Sequence, residues 1–436
     1  MRSTLKKKIM RVNRNYIIFL GFLFTLTSFA QDSKVLELAT CKQLALDNNR
    51  RITKAKRQVD AANQGIKAAK LSAYPMLDAS LSGAYLGDPL GGAMNGLIPE
   101  KMANAMVSAS VPLYAGGKLR DGVKASKSQQ HIATQTVAMT EREVLFETEK
   151  TYYEVVKLQE KEKLAQEYIT LLEALEQDVK NSYEVGLTYK NDLLKVQVAL
   201  TNARAGLTKV QDGQYLSQLA LKQLIGFNQS EEIEVNYRLD MTEYTTLISD
   251  EQRENSILAR PEIQILEEVT HLENLQAKML KSEYYPTVAL SMIGISGFGE
   301  GINFTNGKDN LTSYVGLVSI EIPVFDWGKR GAKAKEQRLK ALAAEEELEQ
   351  TKELLYLEVR NAEIGVSQAR EDLKSSELAL GQSTENRRIV QDRFEAGTIV
   401  SKDVLEANAL WQEAFSQVIE AKIVYLIQLA NLNRIL

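Results

Sequence analysis

Between Val123 and Val185 the chain holds neither Gly nor Pro, and its apolar residues recur at helical spacing. Leu164, Tyr168, Leu171, Leu172, Leu175, Val179 and Tyr183 form one stripe, with Glu, Lys, Gln and Asp filling most of the positions between. The pattern predicts an amphipathic helix on the order of 95 Å long at ~1.5 Å per residue. No compact globule accommodates such a rod, so it packs against other helices as a coiled coil. A second stretch of the same kind runs from Ala332 to Ala396, interrupted only by Gly365 and Gly381. Two shorter helical patterns accompany the first rod, one from about Val35 to Ser72 and one ending at about Ile225. Laid end to end, they are about as long as the rod itself.

Between Pro75 and Pro112 the period changes to two. Leu77, Ala79, Leu81, Gly83 and Tyr85 alternate with Asp78, Ser80, Ser82 and Ala84, and Val107, Ala109 and Val111 alternate with Ser108 and Ser110. The same change occurs after Pro286, with Val288, Leu290 and Met292, then Val318, Ile320 and Ile322 against Ser319 and Glu321. Each region predicts two strands of about ten residues, apolar on one face, joined by the glycine-rich segments "GDPLGGAMNG" and "GFGEGINFTNGKDN". That length and alternation suit a transmembrane β-barrel. Four strands close no barrel, and lipid tolerates no open strand edge, so the chain must pool strands with other copies of itself.

The two halves are one unit written twice. At an offset of 211 residues Ile52 meets Ile263, Tyr74-Pro75 meets Tyr285-Pro286, Pro112 meets Pro323, and Gly117-Lys118 meets Gly328-Lys329. Gly186, Asp192 and Leu194 likewise meet Gly397, Asp403 and Leu405 without a gap. The organisation expected is residues 1–30 as a signal peptide and 31–226 as a first repeat with a β-hairpin over 75–112. An irregular linker over 227–256 follows, then a second repeat over 257–436 with a β-hairpin over 286–323. The repeated stretches "YEVGLTYKNDLL" and "FEAGTIVSKDVL" follow the two rods. Gly186 and Gly397 are predicted to end the rods with positive φ. Asp192 and Asp403 then sit in the first turn of a returning helix, at the positive end of its dipole.

Composition narrows the function. Arg2, Lys6, Lys7, Lys8, Arg11 and Arg14 precede an apolar run over Tyr16–Leu26 and the small-residue site Ser28-Phe29-Ala30, the layout of a secretory signal peptide. Losing those six positive charges takes the net charge from −4 to −10, which excludes nucleic acid as a natural partner. The single cysteine, Cys41, forms no internal disulfide and reads as a buried helix thiol. With His131 and His271 the only histidines, no metal site and no Cys/His pair can be assembled, and no catalytic constellation converges. No cofactor is expected, and the chain is not expected to be an enzyme.

Order, spacing and duplication together make the chain similar to TolC-family outer-membrane efflux proteins, over essentially all of Gln31–Leu436. The resemblance is carried by "LELATCKQLALDNNRRI" and "ILARPEI", the "YP" before each hairpin, "VPLYAGGK" and "IPVFDWGK" after them, and the two hairpin motifs. It implies a homotrimer in the outer membrane of a Gram-negative bacterium, with a twelve-stranded barrel above and an α-helical tunnel reaching into the periplasm. Such a duct serves a tripartite efflux or type I secretion system. It receives substrate from an inner-membrane RND or ABC transporter through a periplasmic adaptor.

The resemblance also assigns residues. Val185-Gly186-Leu187 and Ala396-Gly397-Thr398 become adaptor-docking tips, although both glycines also read simply as helix C-caps. Asp403 and Glu406 become an acidic ring at the tunnel entrance, or else a solvated first turn. The family's tip-closing network is depleted here: Phe394 stands where an aromatic hydroxyl belongs and Ile399 where an arginine belongs. Asn191 and Asp192 stand near the expected partner positions, and either other residues such as Lys402 or Arg393 replace the missing contacts or the closed state is weaker. The rival readings are a periplasmic adaptor, which would carry one hairpin and not two, and a structural envelope coiled coil, which would not need paired alternating strands. The transported substrate is not legible.

Overall fold

Two helices of 67 residues dominate the chain, each about 100 Å long by helix geometry. The computed structural model describes residues 34–85, 100–237, 249–303, 305 and 307–436. The expected signal peptide lies outside these residues, as do the segment "GDPLGGAMNG" and part of the expected linker. The elements run β1 (Lys34–Leu36), α1 (Leu38–Asn48), α2 (Arg50–Leu71), β2 (Met76–Tyr85), β3 (Lys101–Ala115), α3 (Lys118–Glu184) and α4 (Lys190–Ile225). The second half runs β4 (Ile233–Val235), α5 (Asp250–Leu258), α6 (Pro261–Lys281), β5 (Thr287–Asn303), β6 (Lys308–Glu321), α7 (Lys329–Glu395) and α8 (Ser401–Ile435). The long helices are α3 and α7. Each begins after a left-handed glycine, Gly117 at φ 88° and Gly328 at φ 85°.

The helix expected over Val35–Ser72 is instead a short strand and two helices. Val35 sits in β1, which pairs parallel with β4 and sets Lys34 opposite Ile233. At Asn49 the backbone turns extended (φ −65°, ψ 128°). There the side-chain oxygen accepts from Arg51 N at 2.8 Å, and Nδ2 donates to the carbonyl of Leu224 at 2.9 Å. This buried amide stops α1, caps α2 and pins the end of α4 to the junction. The second repeat solves the same problem ionically. Pro261 opens α6, and buried Arg260 reaches Glu358 at 2.7 Å, which Arg434 also contacts at 2.8 Å. The acceptor is conserved between repeats: Glu147, the mate of Glu358, takes Arg51 at 2.5 Å. Helix α5 begins at Asp250, inside the segment expected to be irregular, and Ser249 starts it with a capping box.

The strands form one antiparallel sheet in the order β2-β3-β5-β6. β2 has the ten residues expected, while β3, β5 and β6 are longer, at 15, 17 and 14 residues. Pro112 does not end β3: the strand passes it with a register shift between Pro112 and Tyr114, the way a residue without an N–H is accommodated. Nor is "GFGEGINFTNGKDN" wholly a loop. Gly297 pairs with Leu311, and the register shifts only between Phe298 and Asn303, because glycine keeps both ladder groups and permits a bulge.

Cross-strand register gathers the expected apolar residues on one face. Leu77 lies opposite Ala109, Ala109 opposite Met292, Leu290 opposite Val318, and Val288 opposite Ile320. The other face carries Asp78, Ser108, Ser110, Ser319 and Glu321. On that same face, level with Ser108 and Ser110, Ile293 lies opposite Val315 and Ser291 opposite Leu317, so the second hairpin is apolar where a polar or small face was expected.

The core is spread along the rods rather than gathered in one globule. One cluster holds Cys41, Ile52, Val144, Val156, Leu221 and Ile225, beside the β1–β4 pair. Another holds Ile263, Val359, Val366 and Leu432, and a small one holds the far end of the hairpins.

Candidate functional site

The far ends of α3 and α7 finish in the same backbone device. At the first, Gly186 N donates to Tyr183 O at 3.0 Å and Leu187 N to Ser182 O at 2.8 Å. At the second, Gly397 N donates to Phe394 O at 2.9 Å and Thr398 N to Arg393 O at 3.0 Å. These paired bonds are a Schellman cap, which requires a left-handed residue at the turn. Gly186 and Gly397 supply it at φ 79° and 68°. Nothing lies within 4 Å of the position a Cβ would take at either glycine, so backbone conformation and not crowding selects them in the single chain.

Around the caps the surface is apolar and open. Val185, Gly186, Leu187, Ala396, Gly397 and Thr398 are all exposed, with Leu187 at 82%. The returning helices then start on Tyr189 and Val400, neither of which caps its helix with a side chain. Behind the turns a small core joins the two hairpins: Leu175, Val179, Val196 and Val404 are buried, and Leu193, Phe394 and Leu405 pack on them. Phe394 therefore fills apolar space, a role that explains a ring without a hydroxyl at this position.

The charged residues behave differently in the two repeats. Asp192 accepts from Thr188 Oγ1 and from Lys195 Nζ, each at 3.2 Å. Asp403 and Glu406 lie three residues apart on one face of α8 and are exposed. Asn191 and Lys402 are exposed as well, and Arg393 contributes its carbonyl to the second cap. Above the tip a cleft of about 390 Å³ opens between α3, α7 and α8, walled in part by Asp178, Arg387, Arg388 and Asp392. There Arg387 stacks 4.3 Å from the ring of buried Trp411. Hydrogen bonding to Glu385, helped by the charge of Asp392, raises the pKa of Arg388, so it stays cationic. Among the described residues no His, Cys, Asp and Glu group could hold a metal ion, and no helix is long and apolar enough to cross a membrane.

A family model described as outer membrane efflux protein matches residues 42–227 and 254–436, taking in most of both repeats and leaving out residues 1–41 and the segment between. The chain belongs to the outer membrane efflux protein family. The fold agrees with that of solved channels. The Campylobacter jejuni CmeC outer membrane channel superposes with a TM-score of 0.77 at 19% identity, over 91% of this chain and 85% of that one. The open-state Neisseria gonorrhoeae MtrE outer membrane channel gives 0.75 at 18% identity, over 91% and 88%. The Vibrio cholerae outer membrane protein VceC gives 0.72 at 15% identity, over 91% and 95%. No curated protein sequence matches the chain significantly. Family and fold are those of outer-membrane channels for efflux, not of enzymes.

In this efflux protein the two glycine turns are the most exposed ends of the helical hairpins. Reading the sequence alone missed Tyr189 and Val400, which extend the apolar tip; Tyr189 is 80% exposed. A signal was present. Both stand three residues after the turn glycine, at the start of a helix where Ser, Thr, Asp or Asn is the usual choice, and the repeat places both. The Arg387–Trp411 stack was also missed, since the two residues belong to different helices.

Proposed function

We propose that this efflux protein is the exit duct of a tripartite efflux or type I secretion system. Three copies would close a twelve-stranded barrel in outer-membrane lipid, with their helices extending as a tunnel into the periplasm. The chain performs no chemistry. An inner-membrane RND or ABC transporter supplies the energy and selects the cargo. A periplasmic adaptor docks at Val185-Gly186-Leu187 and Ala396-Gly397-Thr398, and Asp403 and Glu406 contribute carboxylates to the entrance. Asn191, Asp192, Phe394 and Lys402 are the candidates for closing the tip.

The observation that supports assembly is a difference between the two long helices. Helix α3 is flanked within the chain and exposes one large apolar residue, Tyr183. Its repeat mate α7 exposes eight, among them Leu339, Leu354, Leu357, Ile364 and Leu378. A soluble monomer does not leave such a stripe along a rod of this length. Helix α3 packs against α6 and α8 of the second repeat. The corresponding partners for α7 are α2 and α4 of another copy. Electron microscopy of the protein extracted from outer membranes in detergent tests this reading. Tapered tubes with threefold symmetry are expected; monomers absent from the membrane fraction would overturn it.

A further inference from the structure

We infer that β6 of one subunit pairs antiparallel with β2 of the next in one definite register, setting Ile320 opposite Leu81 of the partner subunit. The inference rests on the assembly proposed above and specifies its seam.

The repeat is faithful at the level of backbone pairing. All ten pairs between β2 and β3 recur between β5 and β6 at the 211-residue offset: Met76–Ser110 becomes Thr287–Glu321, and Tyr85–Lys101 becomes Ser296–Thr312. The chain contains one seam between repeats, β3 against β5, running from Met102–Gly299 to Pro112–Ala289. Advancing that seam by one repeat turns β3 into β6 and turns β5 into β2 of a further copy. Ala109–Met292 then becomes Ile320 against Leu81 of the partner subunit. Val107–Gly294 becomes Val318 against Gly83 of the partner subunit, and Ala105–Ser296 becomes Gly316 against Tyr85 of the partner subunit.

Two independent observations agree. First, this register keeps Leu81 and Ile320 on the same apolar face, whereas a slip of one residue would oppose apolar to polar faces throughout. A slip of two in one direction would set Glu321 against Asp78, like charges directly opposite. Second, β3 continues past Pro112 to Ala115, where β5 pairs with it, while β6 stops at Glu321. Ile322, Val324 and Phe325, the residues that would continue it, are all exposed. β6 is therefore shorter than its mate where its own partner is missing, and assembly extends it beyond Pro323. The mapping ends at Trp327. Its mate Gly116 lies so close to Ser282 O that an added Cβ would sit at 2.7 Å, so the seam departs from the repeat there.

Paired cysteines in a Cys41→Ala background test the register. Leu81→Cys with Ile320→Cys, and Ser82→Cys with Ser319→Cys, sample both faces and both kinds of cross-strand pair, of which at least one brings Cβ atoms within disulfide reach. Shifted controls combine Ile320→Cys with Ala79→Cys or with Gly83→Cys. After mild oxidation of membranes, the aligned pairs are expected to move from monomer to cross-linked mass on non-reducing gels, and the controls are not. Cross-linking of a shifted pair, or of no pair in a protein that still purifies as a trimer, would overturn the register and leave the assembly standing. No cross-link together with a monomer in detergent would overturn the assembly itself.

Discussion

Asp192 and Lys195 close an ion pair at 3.2 Å on the first turn of α4, and their repeat mates are Asp403 and Glu406. One substitution of sign between the repeats thus replaces a neutral Asp–Lys pair by two carboxylates, and with Lys190 and Lys402 counted the helix start changes from net positive to net negative. Both carboxylates favour the positive end of α8, and Lys402 in the same turn offsets only one of the two charges. If three copies meet at the entrance, of the two helix starts only that of the second repeat supplies net negative charge there. Replacing Asp403 and Glu406 by Asn and Gln should lower the preference for cations over anions, read as a reversal potential across a salt gradient in planar bilayers. Replacing Asp192 and Lys195 by Asn and Gln removes no net charge and should leave that potential unchanged.

Gly397 is the clearest test of docking. The site has room for a side chain but holds a left-handed backbone, so Gly397→Leu should cost about 1–2 kcal/mol in local strain without a clash. A long coiled coil with its other contacts intact withstands that. The expected outcome is a correctly sized oligomer in the membrane with efflux lost, measured as drug or dye retention in cells. Unchanged efflux would show that the turn is a helix cap and nothing more.

Asn49 ties three helix ends together, because its amide caps α2 and satisfies the Leu224 carbonyl at the end of α4. Asn49→Ala leaves a buried carbonyl without its donor and should cost about 1–3 kcal/mol. Thermal melting followed by helix circular dichroism should show a lower Tm. Arg51→Ala, whose ion pairs are exposed, should change it by far less.

Burial pushes the Cys41 thiol from its ordinary 9.0 up to about 11. The folded protein therefore holds its proton where the unfolded chain releases it. Any stability this contributes is complete below about pH 9 and is lost as pH rises toward 11. Denaturant titrations across that window should fall more steeply for the native chain than for Cys41→Ala. At neutral pH the folded thiol should resist maleimide and react only on unfolding.

The sequence by itself determined what depends on local chemistry and on repetition. Helical periodicity without Gly or Pro marks α3 and α7, period-two alternation marks the four strands, and the 211-residue offset shows that the halves share one plan. Left-handed turns at Gly186 and Gly397 were equally legible, because a Schellman cap leaves few alternatives to glycine. What only the tertiary structure decided are features whose partners lie far away in the chain. Asn49 breaks a helix because Leu224 offers a carbonyl from another element. Lys34–Leu36 is a strand because Ile233–Val235 lies beside it. The strands outrun their alternation because hydrogen-bonded neighbours hold the ladder through Pro112 and through the glycines of β5. Which apolar residues remain uncovered along α7, and where β6 stops, depend on contacts that one chain does not contain. Periodicity reports that a face is apolar; only packing reports whether something already covers it.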